Sequence, residues 1–139
     1  DQTTRIGLGA LVEANTVSGT AGITREIFFG PLSSSIASGL LRSPGWPDQP
    51  DVVLALGTGL EMTVQELASA GQRYKGYLLA PETGTYQFAI ASAQEGQLWI
   101  STDESTNNLA AVASSPPSGV SFRNFNVNPS LQLGSRNLI

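Results

Sequence analysis

The sequence contains neither cysteine nor histidine, and those two absences exclude much of enzyme chemistry. Without Cys there are no disulfides, no thiolate nucleophile and no Cys-based zinc site. Without His there is no Ser-His-Asp or Cys-His machinery, and the commonest metal ligand is missing. Charge is also sparse. Charged residues make up 13% of the 139, against about 25% in an average soluble domain. The net charge of −4 and the scatter of Arg5, Arg25, Arg42, Arg73, Lys75, Arg123 and Arg136 argue against nucleic acid, since tracking phosphates takes a cluster or stripe of positive charge. Long apolar runs are absent too. The stretch from Ile6 to Val12 falls far short of the roughly 20 residues that span a bilayer. A soluble chain without membrane insertion is expected. No Asn-x-Ser/Thr acceptor occurs, because Asn128-Pro129-Ser130 is blocked by its proline.

Gly, Ser, Thr, Ala and Asn fill the space that charge leaves. That mixture suits extracellular β-proteins, whose turns use Gly and Asn and whose exposed strand faces carry Thr and Ser. The length fits one domain with one core. Asp1 in place of an initiator Met leads to the expectation of signal-peptide removal and a secreted or cell-surface location.

Along the chain, residues 1–22 read as an extension and residues 23–139 as the domain proper. Ile6, Leu8, Ala10 and Val12 alternate with Gly7, Gly9, Leu11 and Glu13 in a strand pattern, ahead of a turn-rich stretch from Asn15 to Gly22. A short apolar run follows at Ile27-Phe28-Phe29. Leu32 to Leu41 fits either a short helix or an irregular loop. Ser43 to Asp51 holds three prolines in nine residues, which makes it a rigid loop, since proline has no N–H and restricts the residue before it. Val52 to Leu56 is a strand candidate. Thr63-Val64-Gln65-Glu66 has capping-box form, and Gly71 is a candidate helix end. Tyr86, Phe88 and Ile90 alternate with Thr85, Gln87 and Ala89 as a half-buried strand. Leu98-Trp99-Ile100 and Leu109 to Ala113 are further strands, and Phe125/Val127 and Leu131/Leu133 alternate around Pro129. Short strands with turn chemistry between them predict an all-β antiparallel sandwich.

Catalytic constellations are scarce. Gly7-Leu8-Gly9 and Gly57-Thr58-Gly59 lack the third glycine of a dinucleotide fingerprint. A glycosidase needs two carboxylates at a set separation, and none of the eleven acidic residues sits in a catalytic motif. No enzyme activity is expected. The candidate ligand contacts are Trp46, Asp48 and Asp51 in the proline-rich loop. Trp99, flanked by Leu98 and Ile100, is assigned to packing, because aromatics dominate sandwich cores.

The series Tyr74-Lys75-Gly76-Tyr77-Leu78, Pro81, Gly84-Thr85-Tyr86-Gln87-Phe88, Ile90-Ala91-Ser92 and Leu98-Trp99-Ile100-Ser101-Thr102-Asp103 resembles the PA14 domain, a β-sandwich module of toxins, adhesins and glycosidases. Upstream, Arg25-Glu26, Gly30, Leu32, Ile36 and the Pro47-Pro50-Asp51 loop resemble its bacterial members. The likeness implies a calcium-held sugar site built on two adjacent aspartates, because a hard cation takes charged oxygen ligands. Ala93 and Gln94 stand at those two positions, so no cofactor is expected. Glu95, Asp103 and Glu104 join Gln94 as possible ligand contacts. The likeness also implies core strands beyond residues 133–139. A sandwich short of strands exposes an edge, which the 1–22 segment can fill in its own subunit or in a neighbour; a longer parent protein or a different boundary is the alternative. The expected self-association residues are Ile6, Leu8, Ala10, Val12, Leu131, Leu133, Leu138 and Ile139. The expected function is an extracellular structural or adhesive protein that associates with itself, as a filament or surface-layer subunit, through strand complementation. A carbohydrate-binding module with glycan partners is the alternative.

Overall fold

The computed structural model describes residues 11–16, 22–31, 33, 35–56, 70–121 and 123–139. Its strands are β1 (Leu11–Thr16), β2 (Ile23–Phe29), β3 (Val52–Leu56), β4 (Ala70–Leu78), β5 (Gly84–Ala89), β6 (Gly96–Ile100), β7 (Ala110–Ser115) and β8 (Leu133–Leu138). A single turn of helix, α1 (Pro129–Gln132), precedes β8. One sheet has six strands in the order β3-β2-β4-β1-β6-β7, and β5 pairs with β8 in a second sheet. The all-β class is as expected. Pairing is antiparallel except for β1, which runs parallel to β4 on one side and to β6 on the other.

Strand periodicity explains the core. Tyr86 and Phe88 of β5 are buried while Thr85 and Gln87 are exposed, the half-buried alternation expected of a sheet with one wet face. Leu98 and Ile100 of β6 point the same way as Tyr74 of β4, and with Ile90, Ala113 and Leu138 they form the main core between the sheets. β2 differs. Four consecutive residues, Arg25 to Phe28, are all buried, which takes cover on both faces of the sheet. Residues 30–51 supply the second cover. A 3-10 turn at Leu40–Arg42 brings Leu40 against Phe28 and Ile36 in a second cluster, with Trp46 and Trp99 packed on it.

Several expectations are corrected. The strand expected at Ile6–Val12 runs instead from Leu11 to Thr16, through Asn15 and Thr16, which were assigned to turns; Ile6, Leu8 and Ala10 lie outside the described residues. Gly71 ends no helix. It pairs with Phe28 inside β4, and a Cβ there would stand 2.5 Å from Leu40 Cδ1, so glycine is what admits the 3-10 turn to the sheet. The Thr63–Glu66 capping box lies outside the described residues. The alternation of Phe125/Val127 and Leu131/Leu133 is not a strand. Pro129 opens α1 at its first position, where a missing N–H costs nothing. Gln132 then fixes that turn from within. Its fully buried amide donates to Ile90 O at 3.0 Å and Asn124 O at 2.7 Å and accepts from Asn128 N at 2.8 Å. Leu32 to Leu41 resolves as turns leading into the 3-10 segment, with Leu32 and Ser34 outside the described residues.

Candidate functional site

The residues expected to contact a ligand fall into three separate places. Trp46 and its loop lie on the outer face of the six-stranded sheet. Gln94 and Glu95 precede β6, while Asp103 and Glu104 follow it. A strand that rises about 3.3 Å per residue keeps those two carboxylate groups at opposite ends, so they do not converge. Among the described residues, no three His, Cys, Asp or Glu gather closely enough to hold a metal ion.

At the aspartate-pair positions the donor chemistry fails. Ala93 has no ligand atom, and the Gln94 carbonyl accepts from the buried Ser92 hydroxyl. Val120 N donates to Ser92 O at 2.8 Å, which ties this loop to the segment after β7. The residues present do not fit a calcium site of the expected kind.

Asp103 organises its own loop. Its carboxylate accepts from Ser105 N at 2.9 Å and from Asn108 Nδ2 at 2.9 and 3.1 Å, and Ser101 Oγ reaches it at 3.3 Å. The Asn108 amide leads in holding its pKa below the usual aspartate value, followed by the Ser105 N–H. Those oxygens are spent within the protein. Asp51 is used similarly, accepting from Phe29 N at 2.7 Å. Asp48 and Glu104 are exposed.

Trp46 was expected to offer its face to a ligand, but that surface serves the protein. Phe28 meets it edge-on at 5.2 Å between centroids, and the Arg73 guanidinium lies 4.7 Å from the Trp46 ring centre. Arg73 also donates to Glu26 Oε2 from Nε at 2.9 Å and Nη2 at 2.6 Å, and to Pro47 O at 2.7 Å. Lys75 reaches the other Glu26 oxygen at 3.0 Å. Burial pushes the Glu26 carboxyl up, and the hydrogen bonds and charges of Lys75 and Arg73 outweigh it, so its pKa is held below the usual glutamate value. This network pins the proline-rich loop, with its cis Trp46–Pro47 bond, over the sheet. Motif spacing could not reveal it, because Glu26 and Arg73 are 47 residues apart. Trp99 lies on the same outer face, opposite the core side of Leu98 and Ile100, with its indole N–H on Gln97 Oε1 at 3.1 Å.

The remaining candidates concern association. Val12 lies in β1, in register with Tyr74 of β4 and Leu98 of β6. Leu138 is fully buried in the main core, so the chain itself uses the side chain expected to serve a neighbour. Leu133 begins β8 and is half-buried, whereas Leu131 and Ile139 are exposed. β8 is paired along its length with β5. The C-terminal strand that was expected to be missing is therefore in place.

Fold and sites together define an all-β sandwich module whose first strand is held in mid-sheet. The family model described as PA14 domain matches residues 61–133, just over half the chain, and the chain belongs to that family. The match starts downstream of the Arg25–Asp51 stretch and covers β4 through α1. The family is linked to carbohydrate-binding and adhesion modules, occurs in extracellular or surface proteins, and is made up in general of non-catalytic binding modules. No curated protein and no solved structure matches the chain. No helix among the described residues is long and apolar enough to cross a membrane.

Proposed function

We propose that this chain is a non-catalytic, extracellular structural or adhesive module that assembles with copies of itself by exchanging its first strand. One observation carries the reading: β1 hydrogen-bonds to β4 on one side and β6 on the other. It is bracketed by strands distant in sequence, and β2, the next strand, lies on the far side of β4. Withdrawing β1 divides the six-stranded sheet into β3-β2-β4 and β6-β7 and leaves two unpaired edges facing one slot. Such a slot accepts any strand of the right register, and an identical strand from a neighbour satisfies every backbone group equally well. Repeated head to tail, the exchange has no closing step and yields a filament.

The test is light scattering with electron microscopy on the full chain and on a chain beginning at residue 23. Polymers formed by the full chain, absent from the shorter one and restored by adding residues 1–22 as a peptide, are the expected result. A monodisperse monomer in both cases would remove the filament reading.

Glycan binding is the second reading, supported by the family's link to carbohydrate. With Ala93 and Gln94 in the aspartate positions, the expected binding is independent of calcium. A glycan array probed with and without chelator tests it, and loss of all signal under chelation would contradict it.

A further inference from the structure

The six-stranded sheet ends in β7 on one side and β3 on the other, and the two edges are treated very differently. β7 is guarded. A bulge leaves Val112 as an extra residue between Ala111, opposite Trp99, and Ala113, opposite Leu98. The backbone of β8 lies against it so closely that a Cβ on Gly134 would overlap Val112 O at 1.7 Å, and α1 sits alongside. β3 has none of these devices. Its ladder to β2 is regular from Val52 to Leu56, with no charge and no proline in the five residues. Its apolar side chains are exposed on both faces: Val53, beside Glu26, is 58% exposed, and Leu54, beside Arg25, is 39% exposed. Soluble proteins ordinarily protect such an edge with Lys, Pro, a bulge or a covering loop. Unpaired N–H and C=O groups along an extended strand are satisfied by another extended strand.

We infer that β3 is a docking edge for β3 of a second copy of this chain, paired antiparallel about a two-fold axis through Leu54. The strand is its own complement in that arrangement. Leu54 faces the partner's Leu54, Val53 faces the partner's Ala55, and Val52 stands across from the partner's Leu56. Residues opposite one another in an antiparallel pair share a face, so the main cores of both copies lie on one side of a continuous sheet. Electrostatics selects this direction. The acidic residue at the start of β3, Asp51, is exposed; antiparallel pairing sets the two Asp51 carboxylates at opposite ends of the ladder, whereas parallel pairing sets them side by side. The other ionic groups beside the edge carry no repulsion into it, because Glu26 is neutralised by Arg73 and Lys75. The contact lies at the end of the sheet, two strands away from β1. It goes beyond strand exchange and holds whether β1 sits in its own subunit or a neighbour.

The absence of cysteine from the chain makes the register directly testable. In the antiparallel arrangement the two Leu54 Cα atoms are about 4.5–5.5 Å apart, within disulfide range. Under mild oxidation, Leu54→Cys is expected to form a covalent dimer of twice the 14.5 kDa chain mass. Thr85→Cys, exposed on β5, is expected to remain at least tenfold less cross-linked. Without cross-linking, Val53→Lys in the full chain is expected to weaken dimerisation at least tenfold in sedimentation equilibrium, with the circular dichroism spectrum and melting temperature unchanged. Covalent dimers at Thr85→Cys in equal yield would overturn the inference, as would a Val53→Lys variant that dimerises like the parent. A strand-exchange polymer that survives Val53→Lys, alongside loss of the Leu54→Cys cross-link, would overturn this contact and leave the function proposed above standing.

Discussion

The two faces of the six-stranded sheet are closed by different physics. The inner face meets β5 and β8 through Phe88, Ile90, Leu98, Ile100 and Leu138, all fully buried and all apolar. The outer face is covered by residues 30–51, held by a small aromatic cluster and by an arginine that serves a carboxylate, a backbone carbonyl and two rings at once. Burial of apolar area changes little with pH or salt, whereas ion pairs respond to both. The inner face therefore determines whether the chain folds, and the outer face is the part that conditions can loosen. The probes are conveniently divided. Both of the chain's tryptophans, Trp46 and Trp99, belong to the outer cluster, while Tyr74 and Tyr86 belong to the inner core.

The sharpest break of this contrast is Phe88→Ala. It leaves a cavity between the sheets and is expected to cost about 3–5 kcal/mol, measured by urea unfolding, with tryptophan fluorescence and circular dichroism lost in one transition. Arg73→Ala should cost about 2 kcal/mol, below the usual figure for breaking a buried pair because Lys75 still neutralises Glu26. Its signature is an early tryptophan transition that precedes loss of β-structure. Gly71→Ala forces the 3-10 turn away from the sheet, since Leu40 would stand 2.5–2.9 Å from the new Cβ; about 1–2 kcal/mol is expected, again seen first by tryptophan. The gentlest test is acid. The native pKa of Glu26 is lowered, so its contribution is fully present above the unfolded-state value and is lost as pH falls through the native one. Tryptophan emission should shift in that window while the circular dichroism of the inner core persists. Simultaneous loss of both signals would mean that the faces do not differ as described.

How much of this was legible in the sequence follows from the same contrast. Alternation identified β5 and β6 because one face of each is buried in a uniform apolar core, and a period of two survives translation into residues. It failed on β2, whose buried run includes Arg25 and Glu26: charged residues read as solvent-facing unless their partners are known, and those partners lie on β4. The Phe125–Leu133 pattern misled because Pro129 and the buried Gln132 impose a helical turn through side-chain hydrogen bonds that no hydropathy pattern contains. Trp46 was taken for a ligand contact on the strength of its loop. Nothing in the loop itself reveals that a guanidinium from a strand far along the chain occupies its ring. The ordered motifs of the PA14 resemblance held up across β4 to β6, where the family match lies.

The most direct test of strand exchange uses the register of β1 itself. Asn15 pairs with Tyr77 across the β1–β4 ladder, and Tyr77 is exposed, so Asn15→Cys and Tyr77→Cys combined in one full-length chain provide a bond between those two strands and no other. Oxidised at increasing concentration and run on a non-reducing denaturing gel, that variant is expected to give a ladder of covalent oligomers, because each β1 is locked into the slot of the next subunit. A single band of cross-linked monomer at every concentration would show that β1 stays in its own chain, and the exchange account would be wrong.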